Sequence, residues 1–147
     1  KKKSPKKFLG LFISYRFFYF LRFPFVGLPN LSIAHLKPIA SEDRRVVNVK
    51  SADYIPFISD GIEDGSVLQL GDSKPLGSGF HIYRMTPGQT TVVHKHQSDE
   101  EFYIIEGDLV DHDGTKYGPG DLVWLRKGTE HTSYSPNGCL IVVYLDA

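Results

Sequence analysis

The chain has 147 residues, 41% of them apolar, which is enough to build the core of one domain of ordinary size but not comfortably two. Its 17 basic and 17 acidic residues balance overall, yet residues 1–41 contain eight basic residues and no acidic one. Residues 42–147 therefore carry a net charge of −8, which argues against nucleic-acid binding because that depends on Lys and Arg contacts to phosphate.

Residues 1–41 are predicted to form a basic, aromatic leader that stays outside the domain core. Five of the first seven residues are lysine, and a largely apolar stretch follows over residues 8–28. Its length and positive flank are typical of a signal peptide or membrane anchor, whereas Arg16, Arg22 and Pro24 argue against a clean membrane span. A transit segment and a disordered extension are the alternatives, so localisation stays open, with the cytoplasm as the default.

Residues 42–147 are predicted to form a single all-β domain. Short apolar runs alternate with Gly, Pro, Asn and Asp, a pattern typical of a β-sandwich or barrel. Asp113-Gly114 is a hairpin signal, and the single cysteine, Cys139, is predicted to be a buried hydrophobe. The predicted strands are Val46–Val49, Tyr54–Phe57, Ser66–Leu70, Phe80–Met85, Thr91–His94, Phe102–Ile105, Leu109–Val110, Leu122–Leu125, His131–Ser135 and Leu140–Leu145.

Two histidines and a glutamate are spaced so that they can share one face of a hairpin. His94 and His96 lie two residues apart, so both point to the same side of a strand. After a short turn, Glu100 begins a second predicted strand, Glu100–Ile105, which we expect to pair back on the first. The alternation favours Glu100 over Glu101 as the residue that faces inward.

His131 supplies a third imidazole, at the start of a later predicted strand. Three neutral imidazoles and one carboxylate suit Fe(II), Mn(II) or Zn, and they are also compatible with Ni or Cu. Such an ion can activate water, polarise a substrate oxygen or bind dioxygen when one coordination position stays open. The predicted ligands of one divalent ion are His94, His96, Glu100 and His131.

The spacing of these residues resembles that of a known family. The pattern Gly-x5-His-x-His-x3-Glu-x6-Gly, which begins at Gly88, is similar to the first motif of the cupins. The pattern Gly-x5-Arg-x-Gly-x2-His-x3-Ser, which begins at Gly120, is similar to the second motif with two departures. Arg126 stands where the family usually has Pro, and Ser135 where it usually has Asn, and neither position is a metal ligand in the family.

Within the cupins, residues 44–147 look most like the ChrR-type cupin domains. That group includes zinc-binding sensory domains of anti-sigma factors and small dioxygenases that act on aromatic ketones or β-diketones. The resemblance implies a single jelly-roll barrel that binds one metal ion and a small molecule. It also implies a homodimer, since the edge strands of small cupin barrels commonly pair with a second copy.

The resemblance leaves three functions to compare. A mononuclear metal oxygenase acting on a small ketone-like or aromatic molecule is the favoured hypothesis. A non-catalytic zinc sensor is the alternative, and it ranks lower because a sensor of that type needs a separate helical domain, for which residues 1–41 are too short. An isomerase-like cupin ranks last, because such proteins often lack the full set of metal ligands.

Aromatic and sulfur-containing residues near the predicted ligands are candidates for the pocket wall, because barrel mouths are common ligand sites. His81 is expected on an outer or sheet-facing surface, and His112 is expected to be exposed in a turn. The residues predicted to border the pocket are Tyr83, Met85, Phe102 and Trp124.

Overall fold

The computed structural model describes residues 36–146, and all its regular elements are β-strands except a 3-10 turn at Ser41–Asp43. The predicted all-β class is therefore confirmed. Most of the predicted leader, residues 1–35, lies outside the described residues. Within residues 36–146 no helix is long and apolar enough to cross a membrane.

Twelve strands make up the described part of the chain. They are β1 (Ile55–Ser59), β2 (Ile62–Leu68), β3 (Gly79–Met85), β4 (Gln89–Thr90), β5 (His94–Lys95), β6 (Glu100–Gly107), β7 (Leu109–Asp111), β8 (Lys116–Tyr117), β9 (Leu122–Leu125), β10 (Glu130–His131), β11 (Ser133–Ser135) and β12 (Cys139–Leu145). Three sheets result: a six-stranded sheet in the order β1-β2-β3-β12-β6-β9, a four-stranded sheet in the order β4-β11-β7-β8, and the pair β10-β5.

The apolar run of β12 forms the centre of the larger sheet. It pairs antiparallel with β3 on one side and β6 on the other, so it is covered on both edges. Ile141 and Val143 of β12 are buried in a core cluster together with Val67 and Ile104, which are fully enclosed. Cys139 belongs to the same cluster and is a free thiol, as its apolar neighbours predicted.

Two tight turns show how local sequence directs the strand pairing. Asp60 and Gly61, both with positive φ, connect β1 to β2, which is the backbone requirement of a type I′ turn. The predicted Asp113-Gly114 hairpin connects β7 to β8, and the Gly114 N–H donates to the carbonyl oxygen of Asp111 at 2.8 Å. In this second turn only the glycine has positive φ, so it is not of type I′.

The predicted hairpin between the strands at His94 and Glu100 is wrong. β5 pairs with β10, whereas β6 pairs with β12 and β9. The connection between β5 and β6 is held by a different corner of the chain: the Lys127 N–H donates to Asp99 at 2.7 Å, and the Gly128 N–H donates to the His96 carbonyl at 2.9 Å. Because of these bonds, the segment between β5 and β6 crosses from the two-stranded sheet to the six-stranded sheet and does not form a hairpin turn.

The predicted strand Val46–Val49 is also wrong, because this segment forms no ladder with any described strand. Val46 is 80% exposed, so its β-branched side chain has no sheet surface to pack on. Propensity without a pairing partner does not make a strand.

Candidate metal centre

Three histidine side chains come together where β5 meets β10. His94 lies opposite His131 in the pairing of these strands. His96 follows β5, and its N–H and carbonyl bond the backbone of Thr129 and Gly128, each at 2.9 Å. Nε2 of His96 lies 3.2 Å from Nε2 of His94 and 3.0 Å from Nε2 of His131.

Hydrogen bonds on the far side of two rings determine which nitrogen faces the centre. Nδ1 of His94 lies 2.9 Å from the carbonyl oxygen of Val92, and Nδ1 of His131 lies 3.2 Å from the Asp111 carboxylate. Because a carbonyl and a carboxylate oxygen only accept, each Nδ1 carries the proton and donates it. In the neutral rings each Nε2 then directs a lone pair at the centre, the orientation that metal-binding histidines adopt.

Asp111 is a buried carboxylate that orients His131. It also accepts hydrogen bonds from the hydroxyls of Ser133 and Tyr117, the latter at 2.9 Å. Burial would raise the pKa of Asp111, but these hydrogen bonds outweigh it and hold the pKa below its usual value. The carboxylate therefore stays ionised and fixes the His131 ring.

The distances between the ring nitrogens fit a shared ion. With metal–nitrogen bonds of about 2.0–2.1 Å and ligand–metal–ligand angles of about 90–109°, two ligand nitrogens are about 2.8–3.4 Å apart. The observed 3.0 and 3.2 Å lie inside this range. The buried Nδ1 of His96 has no hydrogen-bond partner among residues 36–146, so Nε2 is the atom of this ring that meets polar groups. His94, His96 and His131 could therefore hold a metal ion.

Glu100 lies at the edge of this group rather than inside it. Its Oε2 is 3.8 Å from Nε2 of His96, beyond the spacing of two neighbouring ligands at about 90–109° on one ion. Alternation along β6 places Glu100 on the same face as the buried Phe102 and Ile104. The structure thus brings the three histidines together and holds the carboxylate of Glu100 in the adjoining wall.

Burial and mutual proximity set the ionisation of the predicted ligands. Burial, followed by the neighbouring His131 and His94, lowers the pKa of His96 to about 4. Burial also raises the pKa of Glu100 to about 7. For His131, burial would lower the pKa, but the hydrogen bond and charge of Asp111 raise it above its usual value. At neutral pH the His96 ring is therefore uncharged, so a cation would not be repelled by an imidazolium there.

A cavity of about 250 Å³ opens beside the histidines, with His94, Glu100 and His131 in its wall. Most of the remaining wall is apolar and comes from β1, β2, β3, β6, β7 and β12. No lysine or arginine lines it within the described part of the chain. The cavity is smaller than the roughly 300–1,000 Å³ of sites for drug-sized ligands, so its size suits a small molecule.

Three of the four residues predicted to border the pocket, Tyr83, Met85 and Phe102, do line this cavity. Trp124 does not. Val123 and Leu125 of β9 pack against the core, so alternation turns Trp124 to the opposite face, where it is 50% exposed.

The position expected for His81 is wrong: its side chain is 4% exposed and lines the cavity. It alternates along β3 with Tyr83 and Met85, which share the same buried face. Two-residue spacing from these two predicted pocket residues was the signal in the sequence that could have placed it. His112 is exposed in its turn, as expected.

At both positions where the sequence departs from the second motif, hydrogen bonds hold the chain in place. Without a proline at Arg126, the turn is still closed by the Thr129 N–H, which donates to the Arg126 carbonyl at 3.0 Å. Ser135 is fully enclosed and donates to the Asp108 carbonyl at 2.6 Å, while the Asn137 side chain bonds the Asp108 carboxylate. Ser135 and Asn137 together therefore connect β11 to the start of β7.

Several solved structures share this fold at low sequence identity. A chain in the structure of Rhodobacter sphaeroides SigE with the anti-sigma ChrR matches with a TM-score of 0.52 and 18% identity, over 67% of this chain and 52% of that one. The polyketide cyclase RemF from Streptomyces resistomycificus matches with a TM-score of 0.55 and 22% identity, over 68% and 78% of the two chains. An acetylacetone dioxygenase from Acinetobacter johnsonii matches with a TM-score of 0.54 and 18% identity, over 74% and 77%.

These likenesses show the cupin fold and nothing finer, because all three identities are below 25%. The chain spans about half the length of the matched chain in the SigE–ChrR complex. No protein with a curated description matches the sequence. The profile of the ChrR cupin-like domain, however, matches residues 42–147, which is most of the chain. The predicted resemblance is thereby confirmed, and the chain belongs to the ChrR cupin-like family.

Proposed function

We propose that this protein binds one divalent ion through His94, His96, His131 and Glu100 and acts as a mononuclear non-haem oxygenase on a small ketone-like molecule. The observation that carries the proposal is the convergence of three Nε2 atoms, 3.0 and 3.2 Å apart, beside a largely apolar cavity. A bound divalent ion would polarise a substrate oxygen and, if redox-active, supply electrons to dioxygen.

The residues of the chain contribute binding, orientation and the exclusion of water. Asp111 and the Val92 carbonyl hold two imidazoles in the orientation that leaves Nε2 free. Phe102, Ile141 and Val143 form part of the apolar wall around a bound molecule. The described residues of the wall include no lysine or arginine, so a negative charge on the substrate away from the ion would lack a positive partner.

A β-diketone is a suitable uncharged substrate for this chemistry. Cleavage of one of its C–C bonds by dioxygen gives a carboxylic acid and a 2-oxoaldehyde, with both oxygen atoms retained in the products. The reaction is balanced without an added reductant. The acetylacetone dioxygenase that shares this fold supports the choice of a diketone as the compound to test.

A non-catalytic zinc-binding sensor is the second candidate. It is favoured by the family match and by the likeness to a chain in the complex with the anti-sigma ChrR. The same four side chains would then hold zinc, and the cavity would report a ligand or oxidant without turnover.

Metal analysis of the full chain purified without air separates the two candidates. For the oxygenase we expect about one iron per chain and uptake of dioxygen when pentane-2,4-dione is added. Stoichiometric zinc with no oxygen uptake favours the sensor instead. A full chain that retains neither metal contradicts both.

Replacing Asp111 by asparagine is expected to weaken zinc binding by about 10–100-fold, the usual effect of losing the group that orients a ligating histidine. Asparagine keeps the shape but loses the charge that holds His131. Titration of the metal-free protein against a competing chelator measures the change. Asp113→Asn is the matched control, because Asp113 is exposed and bonds only its own turn. Equal affinity of both variants would contradict the role of Asp111.

A further inference from the structure

We infer that Asp64 is a positioning residue for the proposed ligand His94 and that it acts through the backbone of Val92. The inference rests on the proposed function, because it concerns how one ligand of the metal centre is held in place. Asp64 lies in β2, a strand that carries none of the proposed ligands. It does not belong to the group of side chains close enough to share an ion.

Asp64 reaches the cavity because β2 contains a β-bulge. Along the β1–β2 ladder Glu63 pairs with Ile58 and Gly65 pairs with Phe57, so Asp64 is an extra residue without a partner opposite. An extra residue of this kind changes the face to which a side chain points. Asp64 and Gly65 are accordingly both buried, although they are neighbours on one strand. The carboxylate of Asp64 thus lines the same cavity as His94.

The residue after Asp64 permits this backbone path. Gly65 has φ +131°, a conformation that residues with a side chain rarely adopt. A Cβ at this position would also lie 2.5 Å from the ring and the hydroxyl of Tyr83. The bulge at Asp64 therefore depends on the glycine that follows it.

Val92 lies in a segment that belongs to no strand. β4 ends at Thr90 and β5 begins at His94, so residues 91–93 lie between the two. The Val92 N–H donates to Oδ1 of Asp64. A backbone N–H that has left its ladder needs another acceptor, and a side chain commonly supplies it. Asp64 is thus the group that fixes the position of Val92.

The carbonyl of the same residue orients the histidine. It lies 2.9 Å from Nδ1 of His94, so the position of Val92 determines how the ring turns and which nitrogen faces the metal centre. Asp111 contacts His131 directly, whereas Asp64 is separated from His94 by one residue of backbone. Two buried acids therefore hold two of the proposed ligands in the same tautomer.

The hydrogen bond of Asp64, rather than its charge, carries this effect. Burial raises the pKa of Asp64 more than the bond from Val92 and the charge of His94 lower it. The Val92 N–H needs only an acceptor, and the amide oxygen of asparagine is one. Asparagine should therefore replace Asp64, although it should not replace Asp111, whose charge acts on His131 directly.

Zinc affinity of the full chain, measured by chelator competition, tests this distinction. We expect Asp64→Asn to bind zinc within about threefold of the wild type. Asp64→Ala and Asp64→Leu accept no hydrogen bond, and each should weaken zinc binding by about tenfold or more, as is usual when a group that orients a ligand is lost. Leucine keeps nearly the volume of the aspartate, so it guards against a loss caused by a void alone.

The tautomer of His94 in the metal-free protein gives a second readout. Two-bond ¹H–¹⁵N NMR correlations at about pH 9, well above the ordinary pKa of histidine, distinguish a proton on Nδ1 from one on Nε2. We expect His94 and His131 to carry it on Nδ1 in the wild type and in Asp64→Asn. In Asp64→Ala and Asp64→Leu, His94 should become a mixture of both tautomers while His131 is unchanged. A general loosening of the fold would affect both rings.

Glu63→Leu is the matched control, because Glu63 is the preceding carboxylate of β2 and is exposed. It should keep the affinity and the tautomer of the wild type.

Three results would overturn the inference. One is a loss of zinc affinity in Asp64→Asn as large as in Asp64→Leu, which would assign the effect to charge. Another is wild-type affinity and an unchanged His94 tautomer in both Asp64→Ala and Asp64→Leu. The third is that neither of these two variants folds, since Asp64 would then serve the fold itself. Failure of the metal proposal is seen separately, as a wild-type chain that binds no zinc, and the tautomer of His94 in metal-free protein still tests the role of Asp64.

Discussion

Replacing His96 by alanine is expected to lower the affinity for zinc by about 100- to 1,000-fold. Structural zinc binds with about 10–16 kcal/mol, so each of four ligands accounts for roughly 3 kcal/mol. Nε2 of His96 also lies between the two other proposed ligand atoms, 3.2 Å from Nε2 of His94 and 3.0 Å from Nε2 of His131. Its loss leaves the two remaining imidazoles without the atom that both approach.

The change is measured by chelator competition on the full chain, with His112→Ala as the matched control. His112 is exposed in the β7–β8 turn, and the hydrogen bond it makes to Thr132 comes from its backbone N–H, which alanine keeps. We expect the control to bind zinc like the wild type. A His96→Ala protein with unchanged affinity would show that the ion, if any, binds elsewhere.

Replacing Gly107 by alanine is expected to destabilise the fold by at least about 4 kcal/mol, a size reached only by few mechanisms. Gly107 has φ +83°, and a Cβ there would lie 1.9 Å from the backbone carbonyl oxygen of Gly138. That oxygen belongs to the chain entering β12 and cannot move without separating β12 from β6. A melting temperature lower by roughly 20 °C or more is the expected result.

Gly88→Ala is the matched control, because Gly88 has nearly the same φ of +81° but no atom within 4 Å of an added Cβ. The free energy of unfolding should fall only by the cost of placing alanine in a left-handed backbone conformation, about 1–2 kcal/mol. Thermal unfolding of both variants compares the two. If both variants lowered the melting temperature equally, the clash with Gly138 would be relieved by a small shift of the backbone. The close approach of Gly107 to Gly138 would then not be required by the fold.

The strands that pack in the core could be predicted from the sequence, because burial leaves a pattern of alternating apolar residues. Leu140–Leu145 and Leu122–Leu125 were placed nearly as β12 and β9 are found. Val46–Val49 has equally good β-propensity and is not a strand. No described strand pairs with this segment. Whether a distant strand is available for pairing cannot be predicted from the sequence of the segment alone.

The three histidines that come together in the structure were predictable from the sequence, but the strand pairing that joins them was not. Spacing within one strand suggested that His94 and His96 share a face, but not that β5 would pair with β10. That pairing sets His94 directly opposite His131 and depends on backbone bonds at the corner that includes Gly128 and Thr129. Such bonds join distant parts of the chain and leave no local signal.

The groups that support the site were harder to predict than the proposed ligands. Asp111 lies in a turn sequence that reads as an ordinary hairpin, yet it orients His131. His81 lies mid-strand, where a histidine is more often a surface residue, yet it faces the cavity. The role of Asp111 depends on which sheet face its side chain meets, and this is decided only when the sheets assemble. For His81, only its two-residue spacing from Tyr83 and Met85 was a local signal.

X-ray absorption spectroscopy of the full chain loaded with one equivalent of zinc tests the metal centre most directly, because it counts the atoms bound to the ion. We predict three imidazole nitrogens and one carboxylate oxygen at about 2.0–2.2 Å, with one imidazole fewer in His96→Ala. A spectrum with at most one imidazole, or one that His96→Ala leaves unchanged, would contradict the proposed centre.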